Sequence, residues 1–253
     1  MLKNYFSFIF IFLLLANTTF SQEKKIKTDT LTTRGSISIT NNGMSLIPTF
    51  SLGKPATVFD FSIQKNRFSF DPQFRFALED AKPWSFVFWM RYKLITSKKF
   101  KVAIGAHPAF IFQTTPAIVN GIQKDLITTK RFFAGELVPT YVFNKKISLG
   151  FYYLYSHGLA DATNNTNFIS MNGYFSNIKV FSNYTLKFAP QIYFLKMDTK
   201  DGFYVASSLT LEKKHFPFSI ASIVNNKIRT SIVSKPFIWN VSLIYSFGGK
   251  YVI

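Results

Sequence analysis

The sequence predicts an all-β fold, a transmembrane antiparallel up-and-down β-barrel of about 12 strands. Three observations lead there. In residues 67–76 the odd positions Arg67, Ser69, Asp71, Gln73 and Arg75 are polar, and Phe68, Phe70, Pro72, Phe74 and Phe76 lie between them. Period 2 describes a strand with two unlike faces. The pattern suits a soluble sandwich with the rings inside, or a membrane barrel with the rings toward lipid and the charges inside. The second observation favours the barrel: 31 Phe and 12 Tyr are more rings than a soluble domain of this size can bury, whereas a lipid-facing band with aromatic girdles accommodates them. The third is the alternation of short, Lys-bearing turns with longer connections, the asymmetry of outer-membrane barrels.

The elements follow in chain order. Residues 1–21 read as a signal peptide. Lys3 is the positive start, 5–16 an apolar run too short to span a bilayer, and Thr19 and Ser21 the small residues before a cleavage that leaves Gln22 first. Residues 22–43 are expected to form a periplasmic segment, and its 35–43 portion could be a short hairpin, a plug or the start of the first strand. The barrel is expected over 44–253, with strands near 44–52, 56–64, 67–78, 84–96, 99–113, 129–143, 146–157, 167–177, 182–197, 202–212, 215–225 and 236–248. Each approaches or exceeds the ~9–11 residues that a tilted strand needs to cross a bilayer. The turns Gln64-Lys65-Asn66, Ser97-Lys98-Lys99, Asn144-Lys145-Lys146 and Glu212-Lys213-Lys214 fall at one end, expected to be periplasmic. Longer loops are expected at 114–128, 158–166 and 226–235.

Composition narrows the function. The formal charge is +18 and there is no Cys, so thiolate chemistry and disulfides are excluded. The basic residues are scattered through turns and alternate strand positions, which argues against a nucleic-acid partner. No phosphate loop, zinc motif or dinucleotide fingerprint is present, so no cofactor is expected. The expected setting is the outer membrane of a Gram-negative bacterium, with membrane lipid and lipopolysaccharide as partners. The acids Glu79, Asp80, Asp125, Asp161, Asp198 and Asp201 fall in the expected outer loops. Loop solubility accounts for them, and divalent-cation bridging to anionic lipid is the alternative. Asp198 and Asp201 are the weak metal candidates, but their spacing lacks the ligand count of a calcium loop.

Alternation places Arg67, Asp71, Arg75, Arg91, Lys93, Lys101, Glu136 and Lys187 in the lumen. This mostly basic set has two readings. One is an anion-attracting path for small anionic solutes. The other is a salt-bridged filling that stiffens a narrow barrel. For an enzyme, His157 is the weak catalytic candidate, at the outer end of its strand. The adjacent Ser156 would point to the opposite face, so Ser170 on the next strand is the alternative nucleophile.

The chain resembles a Bacteroidota (flavobacterial-type) outer-membrane β-barrel family. The resemblance rests on Arg34-Gly35-Ser36-Ile37-Ser38, Pro48-Thr49-Phe50-Ser51-Leu52-Gly53-Lys54-Pro55, residues 67–76, Lys196-Met197-Asp198 and Trp239-Asn240-Val241-Ser242-Leu243-Ile244-Tyr245. It implies the barrel fold and no established activity, so no catalytic residue is carried over. Phe247 is followed by six further residues, a departure from barrels that end on an aromatic residue of the last strand.

Overall fold

A computed structural model describes residues 30–45, 47–119, 122–160 and 162–252. The expected signal peptide and Asp161 lie outside the described residues. Twelve antiparallel strands close into one barrel. They are β1 (Thr30–Thr40), β2 (Ala56–Lys65), β3 (Phe68–Ala77), β4 (Pro83–Thr96), β5 (Phe100–Val119), β6 (Ile122–Val142), β7 (Ile147–Leu159), β8 (Asn165–Phe181), β9 (Tyr184–Met197), β10 (Lys200–Lys213), β11 (Phe218–Thr230) and β12 (Phe237–Val252). Each strand pairs with its sequence neighbours, and β1 closes the sheet on β12 from Thr30↔Val252 to Thr40↔Ser242. Closure leaves no edge with unpaired backbone groups, the requirement for strands surrounded by hydrocarbon.

The strand count agrees with the sequence expectation, but the first strand does not. Residues 44–52 are not a strand, and the barrel begins at Thr30 instead of 44. β1 comes from the stretch expected to be periplasmic, and of the three readings offered for 35–43 the start of the first strand is the one that residues 35–40 meet; β2 and β12 both need an antiparallel partner, and residues 30–40 supply it. The 41–55 connection folds into the barrel mouth and carries a 3-10 turn at Pro48–Phe50. The expected loop at 114–128 is also replaced. β5 and β6 continue pairing from Gln113↔Thr128 out to Val119↔Ile122, forming a hairpin arm beyond the other strands.

The two barrel ends differ. One holds the short turns after β2, β4, β6, β8 and β10, together with Thr30 and Val252; it is called the turn end. The other holds the 41–55 segment, the β5–β6 arm and the remaining connections; it is called the loop end. In the turns, Asn66 and Asp198 adopt φ of 53° and 51°, the left-handed region that short Asn and Asp side chains tolerate.

Side chains divide by parity. The outer face is apolar and exposed, as at Phe133 (56%), Leu243 (52%) and Ile192 (49%). The Phe residues of β3 interlock with their neighbours: Phe74 meets Phe86 at 5.3 Å and Phe88 at 5.7 Å, and Phe86 meets Phe112 at 4.9 Å. Edge-to-face contacts of this kind contribute about 0.5–1.5 kcal/mol each. At the turn end, Tyr141–Phe143, Phe216–Phe218 and Phe218–Tyr245 pair on the same face, the placement of an interfacial aromatic girdle.

At the seam, Gly248 has φ +151°, and a Cβ there would lie 2.4 Å from the Thr33 carbonyl oxygen. The β1–β12 approach therefore requires glycine. Gly248→Ala is expected to cost about 1–3 kcal/mol, read as a lower midpoint for loss of the heat-modifiable folded band on electrophoresis. An unchanged midpoint would contradict this role.

Candidate functional site

The lumen is where alternation collects the polar side chains, and 41–55 divides it. Ile47 of this segment is buried in a cluster with Ala134, Leu154, Phe168, Tyr193, Leu195, Tyr204 and Ile232. Phe50 packs on Phe132 at 5.2 Å, and its carbonyl accepts a hydrogen bond from Trp84 Nε1 at 2.9 Å. Thr49 Oγ1 contacts Met197 Sδ at 3.5 Å. The segment thus forms a partition. Thr49, Phe50, Ser51 and Leu52 line a cavity of about 660 Å³ at the loop end. Met44 and Ser45 line a chamber of about 350 Å³ on the other side.

Charges at the loop end balance locally. Lys54 bridges to Glu79 at 2.9 Å, and Lys82 bridges to Asp125 at 2.9 Å and Asp80 at 3.2 Å. Hydrogen bonds that Lys82 donates to Asp125 and Asp80 raise its pKa above the ordinary value. Three of the acids expected in outer loops are therefore engaged with lysines.

Deeper in the barrel, a girdle crosses from β2 to β7. Arg91 donates to Asp71 Oδ2 at 2.9 Å and to Glu136 Oε1 at 2.5 Å. Ser62 and Ser69 donate to Asp71 at 2.5 and 3.0 Å, and Tyr152 donates to Glu136 Oε2 at 2.8 Å. The Arg91 guanidinium lies 4.1 Å from the Trp89 ring centroid, and His107 packs on Trp89. Gly105 provides the space for this arrangement: a Cβ there would sit 2.7 Å from Glu136 Oε1 and 3.0 Å from Arg91 Cγ. Arg91 is therefore a bonded structural cation, held by two carboxylates.

The other lumen residues expected from sequence fall in different settings. Arg67 lies in the turn before β3, exposed, with Nη1 donating to the Leu94 carbonyl at 3.3 Å. The expected strand start at 67 thus moves to Phe68. Lys187 pairs with Glu212 at 2.5 Å near the turn end. Lys93 and Lys101 share the lumenal parity of Arg91 and Gly105. Lys101 joins Lys98, Lys99, Lys145 and Lys146 around a turn-end cavity of about 510 Å³ whose lining contains no carboxylate. Arg75 stands in the loop-end half with its guanidinium 5.0 Å from the Trp84 centroid. Within the lumen Arg75 and Arg91 stand beside the carboxylates of Asp60, Asp71 and Glu136, and Arg34 lines the same cavity as Asp60, Asp71 and Arg91. The positive excess lies at the turn end.

The enzyme and metal candidates meet opposing geometry. His157 is exposed on the outer face, with Nδ1 3.5 Å from Asn165 Oδ1. Ser156 and Ser170 are buried on the lumenal face, so the sheet separates either hydroxyl from His157. Asp198 ties the β9–β10 turn to the start of β8, accepting from the backbone N–H of Asn165 at 2.8 Å and Asn164 at 3.3 Å. The Asp201 backbone bonds to Ser231 and Thr230 across the β10–β11 pair at the loop end. Among the described residues no group of three or more His, Asp or Glu could hold a metal ion.

Alternation along β9 also places Gln191 inward with Lys187, and Gln191 lines a lumenal chamber. Sequence reasoning passed over Trp89, Tyr152, Asn172, Tyr174 and Asn225, although extending the alternation to every strand would have given them a face. The inward fold of 41–55 had no such signal.

No protein-family model matches the chain, and no curated protein does. Solved structures with a similar fold include a KdgM porin in complex with disordered oligogalacturonate, 11% identical, covering 85% of this chain and 99% of that one at a TM-score of 0.51. A second KdgM porin structure is also 11% identical, over 85% and 99% of the two chains, at 0.52. A NanC porin is 11% identical over 84% and 98%, at 0.51. At this identity the likeness is one of fold.

The girdle makes a direct prediction. The Glu136 side chain is 1% exposed, so Glu136→Ala leaves Arg91 half-partnered and is expected to destabilise the barrel by about 3–5 kcal/mol. Urea unfolding in lipid vesicles, followed by tryptophan fluorescence, reads this loss; a change below 1 kcal/mol by the same measure would mean that the girdle is incidental.

Proposed function

We propose that the chain is a porin-like outer-membrane channel that passes or binds small anionic solutes, with its turn end in the periplasm. The observation that carries this reading is the turn-end mouth, where five lysines line a cavity free of carboxylates. Low-dielectric walls around such a mouth concentrate anions. The apolar outer face and turn-end aromatic pairs support a membrane setting. The barrel architecture is that of KdgM and NanC porins, one of them in complex with oligogalacturonate, a chain of carboxylate-bearing sugars. The Bacteroidota origin rests on the motifs quoted above, and the signal peptide on residues 1–21.

Selectivity in this reading belongs to the lysine mouth, with Lys93 and Lys101, more than to Arg91, whose charge Asp71 and Glu136 offset. The 41–55 partition closes the loop end, so conduction requires it to unseat. Burial of Ile47 and Phe50 stabilises the seated state by about 2 kcal/mol per side chain.

Planar-bilayer recording tests the proposal. Wild type should conduct with anion-favouring reversal potentials under a salt gradient. Replacing residues 45–51 with a short Gly-Ser linker should raise unitary conductance several-fold. Lys99, Lys101, Lys145 and Lys146 changed together to Gln should move the reversal potential toward cation preference. Absence of conductance in both the wild-type and the linker variant would refute the channel and support a closed structural barrel.

A further inference from the structure

The geometry points to a carboxylate-binding chamber at Arg75. This deepens the channel reading by assigning a solute class and a recognition residue, and it rests on that reading for its biological use. Among the described residues Arg75 makes no ion pair or side-chain hydrogen bond, and its guanidinium lies 5.0 Å from the Trp84 ring centroid. Asp60 attracts it from beyond ion-pair distance, and Asp60 is itself engaged by Gln73. A lumen arginine left with unfilled donors contrasts with Arg91, which has two carboxylates on the same barrel wall.

Arg75 borders the 350 Å³ chamber directly beneath Met44 and Ser45 of the partition. The chamber's other polar side chains include Asn172, Tyr174, Gln191, Ser208 and Asn225, and its lining contains no carboxylate. Asn225 is anchored by its hydrogen bond to the Tyr193 hydroxyl at 2.6 Å, and Asn172 by Ser170 at 3.1 Å. Gln191 has no such anchor among the described residues.

These features define the ligand. A guanidinium presents two parallel donors that match a carboxylate. One cation, without a second beside it, matches a single negative charge. The ring of amide and hydroxyl groups matches a hydroxylated body. The volume lies at the small end of ligand pockets, which suits one sugar unit. The chamber therefore binds a sugar acid of monosaccharide size, entering from the turn end and held under the seated partition.

Isothermal titration of the refolded full chain in detergent tests this with D-glucuronate, D-glucose and inorganic phosphate. Glucuronate should bind, and glucose, its uncharged counterpart, should bind at least about tenfold more weakly. Phosphate should also bind more weakly than glucuronate. Arg75→Gln should lose about tenfold or more in affinity, with partial recovery in Arg75→Lys. Gln191→Glu, nearly isosteric and remote from the girdle, should weaken glucuronate through charge repulsion and leave heat-modifiability unchanged. Equal binding of glucose, tighter binding of phosphate, or unaltered affinity in both Arg75→Gln and Gln191→Glu would overturn the assignment. Binding is read without current, so a conducting barrel that ignores glucuronate refutes the chamber alone, and a glucuronate-binding barrel without conductance refutes the channel alone.

Discussion

Closure of the sheet between β1 and β12 is the constraint on which the rest of the molecule depends. A closed sheet has two faces and no edge, so each strand residue is committed to the outside or the lumen by parity. Charged side chains on lumenal positions must then find partners or reach water at an end. Arg91 cannot reach an end, and it is held by Asp71 and Glu136 in a girdle running from β2 to β7. Lys101 lies near an end, and it opens with its neighbours into a wide mouth. The division between structural and accessible charge thus follows from depth along the barrel.

The same closure creates the need for an internal filling. In the loop-end half, lumenal positions carry Phe132, Leu154, Phe168, Tyr193, Leu195 and Tyr204, which are buried. An aqueous lumen would leave these side chains wet. The 41–55 segment resolves this by lending Ile47 to their cluster, and in doing so it separates the chamber from the loop-end cavity. Arg75 lies where this apolar packing meets the polar chamber. Its contact with Trp84, whose indole N–H is spent on the Phe50 carbonyl, ties the arginine's surroundings to the seated segment.

Most of the barrel was legible because period-2 alternation is a local signal. The β3 assignment from residues 67–76 needed only those residues, and the short turns with Asn66 and Asp198 announced themselves by composition. The first strand was misplaced because 30–34 is Thr-rich with Leu31 as its one apolar residue, so its role comes from pairing with β2 and β12. Residues 114–128 were expected to be a loop because Thr and Pro are poor witnesses of a strand, yet their backbone pairs across the hairpin. Of the site, Asp71, Arg91 and Glu136 could be assigned a face. Their mutual contacts could not be foreseen, since strand register across β3 to β6 depends on shear and bulges, such as the shift between Arg75 and Phe76.

The sequence by itself determined the two-faced strands, their number and the lysine-bearing turns, because backbone geometry ties side-chain direction to position along a strand. Tertiary structure alone decided which inward charges are paired, because ion pairing depends on distances between residues 20 to 45 positions apart. It also decided that 41–55 enters the barrel. That fold gains its stability from apolar side chains on strands far along the chain, to which no local pattern refers.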